Sequence, residues 1–331
     1  MEVVFTEHVN ITDPSSVGEA RRTALFTAQR LNFDDTRAGQ FALLTTEMSR
    51  NVLIHGGGGQ VILTGVLSQQ GALARILAMD RGPGIENVPR AMADGFSTAG
   101  TMGEGLGAMK RIANSLEIFT SKTGTMVLAE LGNAAPQDLL KIAGMAIPYP
   151  GERHCGDGWA FHQTPERTLL LLVDGLGHGL EAAGAAQEAI ATFGRRVDSK
   201  PAQIVEFIHD SLRKTRGAVG AVAEIRPKDG VINYAGVGNI SAVVLTPTGS
   251  RSLVSHNGTL GMATSRIQEF RSEWSPSSTL VLHSDGLQTK WDLTPYAGLL
   301  VKHPALIGGA LLRDFRRQRD DASVVIVKAA A

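Results

Sequence analysis

The sequence predicts a two-domain α+β protein. Three observations carry this. The chain has 331 residues, which is room for two domains. Stretches with helical apolar spacing alternate with short, strand-like apolar runs along its whole length. The pattern breaks at Gly132-Asn-Ala-Ala-Pro-Gln, a break too short to be a long flexible tether. The first domain is accordingly placed at 1–132, a linker at 133–143 and the second domain at 144–331.

In the first domain, residues 2–11 alternate weakly and read as an edge strand. Asp13-Pro-Ser-Ser is a helix-start signal, with Asp or Ser as the cap and Pro in the first turn, so 16–31 are helical. A second helix covers about 35–54, with Phe41, Leu44, Met48 and Val52 on its buried face. Glu47 and Asn51 are four apart and share one face of it; taken alone, they also fit a solvated polar stripe. Two strand-like runs follow, Gln60–Leu67 and Ala72–Met79. The second ends on Asp80, followed by Arg-Gly-Pro-Gly. Residues 95–107 form a long Gly-rich loop leading into a helix at about 106–115, and such a loop can offer backbone N–H groups to phosphate. No Gly-Lys dipeptide occurs, so there is no P-loop. Gly103-Glu-Gly-Leu-Gly-Ala matches the dinucleotide pattern by letter, but it follows a loop rather than a strand.

Residues 137–147 read as a short helix or as the first strand of the second domain. The centre of that domain is 168–179. There an apolar run, Leu169–Val173, ends on Asp174-Gly175 and a Gly-rich turn opens a helix at about 180–194. A further helix covers about 201–214. A strand of small residues follows Arg216. Val231–Ala235 and Ala242–Thr246 continue a meander through Gly236-Val-Gly-Asn. Strands at 251–255 and 268–274 come next, then one or two helices within Leu299–Phe315. Arg313, Arg316, Arg317 and Arg319 read as a solvated helix face, with steering of an acidic phosphoprotein as the alternative. Asp285 ends the run 279–284, Asp157 precedes Trp-Ala-Phe, and Asp320-Asp321 precedes Ala-Ser-Val-Val-Ile-Val. A buried strand avoids ending on an unpaired carboxylate, because desolvating the charge costs about several kcal/mol. Four carboxylates gathered at one sheet edge would need cations, and hard oxygen donors point to Mg²⁺ or Mn²⁺. Spacing alone leaves four unrelated turns equally open.

Lys+Arg and Asp+Glu both number 32, so no global basic field recruits nucleic acid or an anionic membrane. The single cysteine, Cys155, excludes an internal disulfide framework and a Cys-rich zinc site. No apolar run approaches 18 residues and the N-terminus carries no leader pattern, so a cytoplasmic protein is expected.

Glu47-Met-Ser-Arg-Asn51, Asp80-Arg-Gly-Pro-Gly84 and Gly103-Glu-Gly-Leu-Gly107 resemble the boxes of the Bergerat-fold (GHKL) ATPases and kinases. Within these they are similar to the RsbT-like anti-sigma serine/threonine kinases, a likeness strengthened by Phe96-Ser-Thr-Ala-Gly. The resemblance implies an ATP- and Mg²⁺-binding α/β sandwich. Asp80 would bind the adenine amino group, Asn51 would ligate Mg²⁺ and Glu47 would be the general base for a substrate hydroxyl. Gly82, Gly84, Gly103, Gly105 and Gly107 would let backbone approach the nucleotide, and Ser97 and Thr98 would line a lid. A carboxylate one helical turn from the metal ligand suits phosphoryl transfer, which needs positioning, charge neutralisation and a base.

Cys155-Gly-Asp-Gly, Val173-Asp-Gly-Leu-Gly-His-Gly, Gly236-Val-Gly-Asn, His283-Ser-Asp-Gly-Leu and Arg319-Asp-Asp-Ala-Ser-Val-Val resemble the ordered motifs of the metal-dependent PPM-type protein phosphatases, in their SpoIIE- and RsbX-like branch. That likeness implies an α-β-β-α sandwich holding two Mn²⁺ or Mg²⁺ ions. Asp174 would bridge them, Gly175 would add its carbonyl, and Asp285 and Asp320 would hold the second ion. Asp157 would act directly or through water. Arg153 is the nearest candidate for the basic phosphate-holding residue of the larger relatives; His154 and His178 are weaker ones. Together the two resemblances imply a bifunctional partner-switching or stressosome regulator. It would write and erase phosphate on Ser or Thr of a STAS-domain partner, of the RsbS/RsbR or anti-sigma-antagonist kind, and a homodimer is allowed. The alternative is a phosphatase whose first domain only binds ATP and a partner.

Overall fold

A computed structural model describes residues 2–68, 71–92, 105–132, 140–264 and 266–330. Contacts divide the chain into two compact units. One comprises Val3–Pro136 with Leu293–Ala310, the other Met1–Glu2, Gln137–Asp292 and Leu311–Ala331.

The first unit starts with β1 (Val3–Ile11), α1 (Pro14–Arg30) and α2 (Asp35–Gly56). Asp13 caps α1 by accepting from Ser15 N and Ser16 N, with Pro14 at the first helical position, so the helix starts two residues earlier than the pattern implies. Asp34 caps α2 through Arg37 N, and Gly57 ends it in the left-handed conformation at φ +69°. Then come β2 (Gly59–Ser68), β3 (Gly71–Asp80), the single turn α3 (Val88–Ala91), α4 (Leu106–Ile112), β4 (Ser115–Ser121) and β5 (Gly124–Gly132). The strands form one antiparallel sheet, β1-β2-β3-β5-β4. Phe41, Leu44, Met48 and Val52 of α2 join Ile76, Ala78 and Ala129 in the core on one face.

The other face is covered by a segment from far along the chain. Gly309 packs so tightly there that a Cβ on it would lie 2.8 Å from both Leu77 Cδ2 and Met79 Sδ. Beside it, Arg75 Nε donates to Glu130 Oε1 at 2.7 Å, and His303 Nε2 stands 3.6 Å from the same oxygen. Sequence pattern had put 293–310 wholly within the second domain.

The second unit has two five-stranded antiparallel sheets. Its elements are β6 (Leu140–Ile147), β7 (Asp157–Gln163), β8 (Thr168–Gly175), α5 (Leu180–Arg195), α6 (Pro201–Ser211), β9 (Ala218–Arg226), β10 (Val231–Val237), β11 (Ser241–Thr246), β12 (Gly249–Leu253), β13 (Phe270–Glu273), β14 (Thr279–His283) and β15 (Ala322–Ala329); the helix α7 (Pro304–Phe315) belongs to the first unit as far as Ala310 and to this one beyond it. The sheet orders are β13-β10-β9-β8-β7 and β12-β11-β14-β15-β6. The first carries α5 and α6 against one face, where Leu169, Leu171 and Val173 pack with Ala185, Phe193 and Ile204. Its opposite face meets the second sheet: a Cβ on Gly144 of β6 would lie 2.4 Å from the Trp159 ring of β7, so only glycine fits.

Two expectations need correction. β10 and β11 do not form a meander, because they belong to different sheets. The chain changes sheet at Gly238, whose φ of +94° and N–H bond to His256 O turn it away. The arginine cluster is not a solvated helix face. α7 ends at Phe315. Arg313 is buried and paired with Asp314 at 2.7 Å, and Arg316 donates to Pro148 O at 2.6 Å.

Glu130 gives this fold a pH signature. Burial pushes its carboxyl up, but Arg75 and His303, with hydrogen bonds from Arg75 and Ser115, outweigh that and hold it at about 2, against an ordinary 4.5. A depressed carboxyl contributes stability above its unfolded value and loses it as pH falls toward the folded one. Wild type should therefore lose thermal stability between pH 4.5 and pH 2 more steeply than Glu130→Gln. At pH 7 the variant should be the less stable of the two. Melting temperatures across that range check both statements.

Candidate functional site

Both clusters expected from the sequence can be located. In the first unit, Glu47 and Asn51 lie one turn apart on α2, partly buried; Glu47 Oε1 accepts from Arg50 at 3.1 Å. Asp80 ends β3, where its Oδ1 accepts from Gly82 N at 2.9 Å and Thr125 N at 3.0 Å. Backbone crowds around it: a Cβ on Gly56 would lie 2.3 Å from Asp80 Cβ, and one on Gly82 would lie 2.8 Å from His55 O. Gly84 has φ +82° and its Cβ position is filled by Ser121 O at 2.1 Å. Glycine at 82 and 84 is thus demanded by the protein's own packing. Gly105 caps α4 and Gly107 is buried within it. Ser97, Thr98 and Gly103 lie outside the described residues.

In the second unit, Asp157 and Asp174 are directly opposed across β7 and β8. Gly175 N donates to Gly156 O at 3.0 Å, and α5 presses so close that a Cβ on Gly175 would lie 2.3 Å from Ala182 O. Asp285 follows β14 and accepts from Asn239 Nδ2 at 2.7 Å. Asp320 accepts from Asp321 N at 2.9 Å. Asp157 accepts from Ser284 Oγ at 2.6 Å through Oδ2. Its Oδ1 is buried without a well-aligned partner.

The charges confirm that these groups sense one another. Burial pushes the Asp174 carboxyl up, and Asp157, Asp285 and Asp320 push it further. Burial also raises Asp157, against the hydrogen bond from Ser284 and an influence of Ser323. Asp320 is raised by burial and then by Asp285. Asp321 differs from its neighbour: it is 2% exposed, and its Oδ1 accepts from Tyr149 N at 2.7 Å. Among the described residues, no three His, Cys, Asp or Glu side chains are already set as a metal cage.

Around this cluster, His178 Nδ1 is 2.9 Å from Glu152 Oε1, and its ring stacks on Tyr149. Arg153 and His154 are exposed. Sequence reasoning did not single out Ser284 or Asn239, although both stand inside motifs it quoted. Thr125 carried no signal, because it acts through its backbone N–H.

Residues 164–330 match the family model of Stage II sporulation protein E (SpoIIE). The chain belongs to the SpoIIE family. Residues 12–131 match the histidine kinase-like ATPase domain. Over 110 residues the chain is 30% identical to the serine/threonine-protein kinase RsbT of Bacillus subtilis (strain 168), covering 33% of this chain and 83% of that relative. A solved structure described as "The bacterial stressosome: a modular system that has been adapted to control secondary messenger signaling" is similar with a TM-score of 0.54 and 28% identity. It covers 57% of this chain and 99% of its own. The crystal structure of RsbX in complex with magnesium is similar with a TM-score of 0.53 over 65% of this chain and 100% of that one; at 16% identity the likeness is one of fold. The chain is thus a fusion of an RsbT-like, histidine-kinase-like ATPase domain and a SpoIIE domain of PPM-type phosphatase fold. Among the described residues, no helix is long and apolar enough to cross a membrane.

Two outcomes follow for the sites. A raised carboxyl loses its folded-state compatibility as pH climbs through its raised value, so Asp174 opposes folding increasingly at high pH. Asp174→Asn should melt higher than wild type without metal, by a margin that widens with pH, as melting curves across a pH series would read. Gly56→Ala should displace Asp80 and weaken ATP binding about tenfold or more, a loss of about 1.4 kcal/mol. Gly39→Ala is the control on the same helix, because nothing lies within 4 Å of its Cβ position. Fluorescent-nucleotide titration reads the difference.

Proposed function

We propose that this chain is a bifunctional partner-switching regulator. Its first domain phosphorylates Ser or Thr on a STAS-domain protein and its second removes that phosphate. The phosphatase half rests above all on one observation: Asp157 and Asp174 face each other at a strand end, within electrostatic reach of Asp285 and Asp320. The donors are hard oxygens and Asp157 Oδ1 is a buried orphan, so the residues present fit a pair of Mg²⁺ or Mn²⁺ ions. Asp174 would serve both, the Gly175 carbonyl would add a donor, Asp285 and Asp320 would hold the second, and Asp157 would act directly or through water. Bound there, the ions supply an activated water and neutralise phosphoryl oxygens. Arg153 is free to meet the incoming phosphate.

The kinase half rests on Glu47 beside Asn51. Asn51 would hold Mg²⁺ of ATP, Asp80 would take the adenine amino group, and Glu47 would accept the proton of the attacking hydroxyl. Gly105 and Gly107, with Gly103, Ser97 and Thr98, would close over the phosphates. The relationship to RsbT supports this reading, and the stressosome likeness supports a STAS protein as partner. A second reading, an ATP- and partner-binding first domain without kinase activity, is favoured by the ion pair that engages Glu47 with Arg50.

Labelled ATP with a STAS protein from the same gene neighbourhood decides between them. Asp174→Asn should accumulate labelled partner, Glu47→Gln should not, and wild type should strip a pre-phosphorylated sample. Stripping by wild type with no labelling by any variant would establish the second reading instead.

A further inference from the structure

Ser284 is fully buried between β14 and β15, and every polar contact around it has a fixed sense. Its Oγ accepts the Ser323 N–H at 3.0 Å, and its single proton goes to Asp157 Oδ2 at 2.6 Å. Its backbone N–H donates to Ser323 O at 3.1 Å. Its carbonyl oxygen lies 2.8 Å from His283 Nδ1. That contact has one possible direction. The Trp291 indole N–H, which can only donate, is 3.0 Å from His283 Nε2. Nε2 therefore accepts, Nδ1 carries the proton, and it donates to Ser284 O. The serine is thus held from both neighbouring elements, and Asp157 Oδ2 is taken. Asp157 Oδ1 is left buried with no well-aligned hydrogen bond; Ser323 Oγ, buried nearby, is also without one.

From this geometry we infer that Ser284 is a positioning residue for Asp157: it claims Oδ2 and leaves Oδ1 as the single oxygen offered to a cation. The inference rests on the metal-holding role of the carboxylate cluster proposed above. A carboxylate with both oxygens unheld rotates, and loses that freedom when it ligates. One already anchored at Oδ2 has lost it in the folded protein. Asn239 on Asp285 and Asp321 N on Asp320 repeat the pattern, each engaging one oxygen. Ser284 differs from Asn239 in being fully buried, so water cannot replace its hydroxyl, and from the Asp321 N–H in being a side-chain donor that a substitution removes.

The test is Mn²⁺ binding by the full chain, read by calorimetry and by the paramagnetic resonance of free Mn²⁺. Ser284→Ala, Ser284→Cys, Ser323→Ala and Asp174→Asn are compared with wild type, with metal-free melting temperatures alongside. Ser284→Ala should weaken Mn²⁺ binding about tenfold or more. Ser284→Cys, which keeps a weak donor of similar shape, should lose less. Ser323→Ala should stay within about twofold, since its backbone N–H still serves Ser284. Asp174→Asn marks the baseline of lost binding. Wild-type affinity in Ser284→Ala overturns the inference. Equal losses in the Ala and Cys variants that track a fall in metal-free melting temperature overturn it too, because packing alone then accounts for them. Absence of Mn²⁺ uptake by wild type overturns the cluster's metal role itself, a separable result.

Discussion

Asp157 and Asp174 stand opposite one another at the end of two buried strands, and the second unit is arranged around keeping them there. Facing carboxylates repel, and burial strengthens the repulsion by removing water. The fold opposes it by rigidity. α5 closes on Gly175 with no room for a side chain, β7 is locked to β6 through Trp159 against Gly144, and Ser284 reaches over from the adjoining sheet. Two sheets are needed for this. β7 and β8 carry one pair of acids, while the ends flanking β14 and β15 bring Asp285 and Asp320 from the other.

The first unit solves a milder problem. Asp80 is a single carboxylate, and two backbone N–H groups compensate one of its oxygens. Crowding by Gly56 and Gly82 fixes the rest of the side chain. Asp80 is held rigidly without facing a second carboxylate. α2 supplies Glu47 and Asn51 from the same rigid body whose apolar face builds the core, so the polar stripe inherits its precision from Phe41, Leu44 and Met48.

How much of this was legible in the sequence follows from where each determinant lies. α2 was legible because its cap, its apolar period and its Gly stop are all local. Asp174 and Asp285 stood out because apolar runs ending on Asp-Gly are unusual, but spacing left unrelated turns equally open, and family likeness brought Asp157 and Asp320 in with them. The sheet switch at Gly238 was not, since a glycine turn between two strands reads the same whether they pair or part. Ser284 stood in the quoted His283-Ser-Asp-Gly-Leu, yet its bond to Asp157 spans 127 positions. Arg313 and Arg316 looked like surface charges because their partners, an adjacent Asp and a distant carbonyl, are not a matter of period. The choice between Asp320 and Asp321 came from family likeness alone. In the fold, Asp321 has one oxygen tied to Tyr149 N and the other buried without a hydrogen bond, Asp320 lies within the influence of Asp285, and Asp157 feels both.

The segment Leu293–Ala310 lies in sequence between Asp285 and Asp320, yet it belongs with the ATPase sheet, where Gly309 meets Leu77 and Met79. Scission at residue 132 would yield one fragment with a bare apolar sheet face and another with a stranded apolar helix. Gene shuffling could not exchange either half for a homologue without carrying this tenon along. A lineage that acquired it gave up the freedom to separate its two domains.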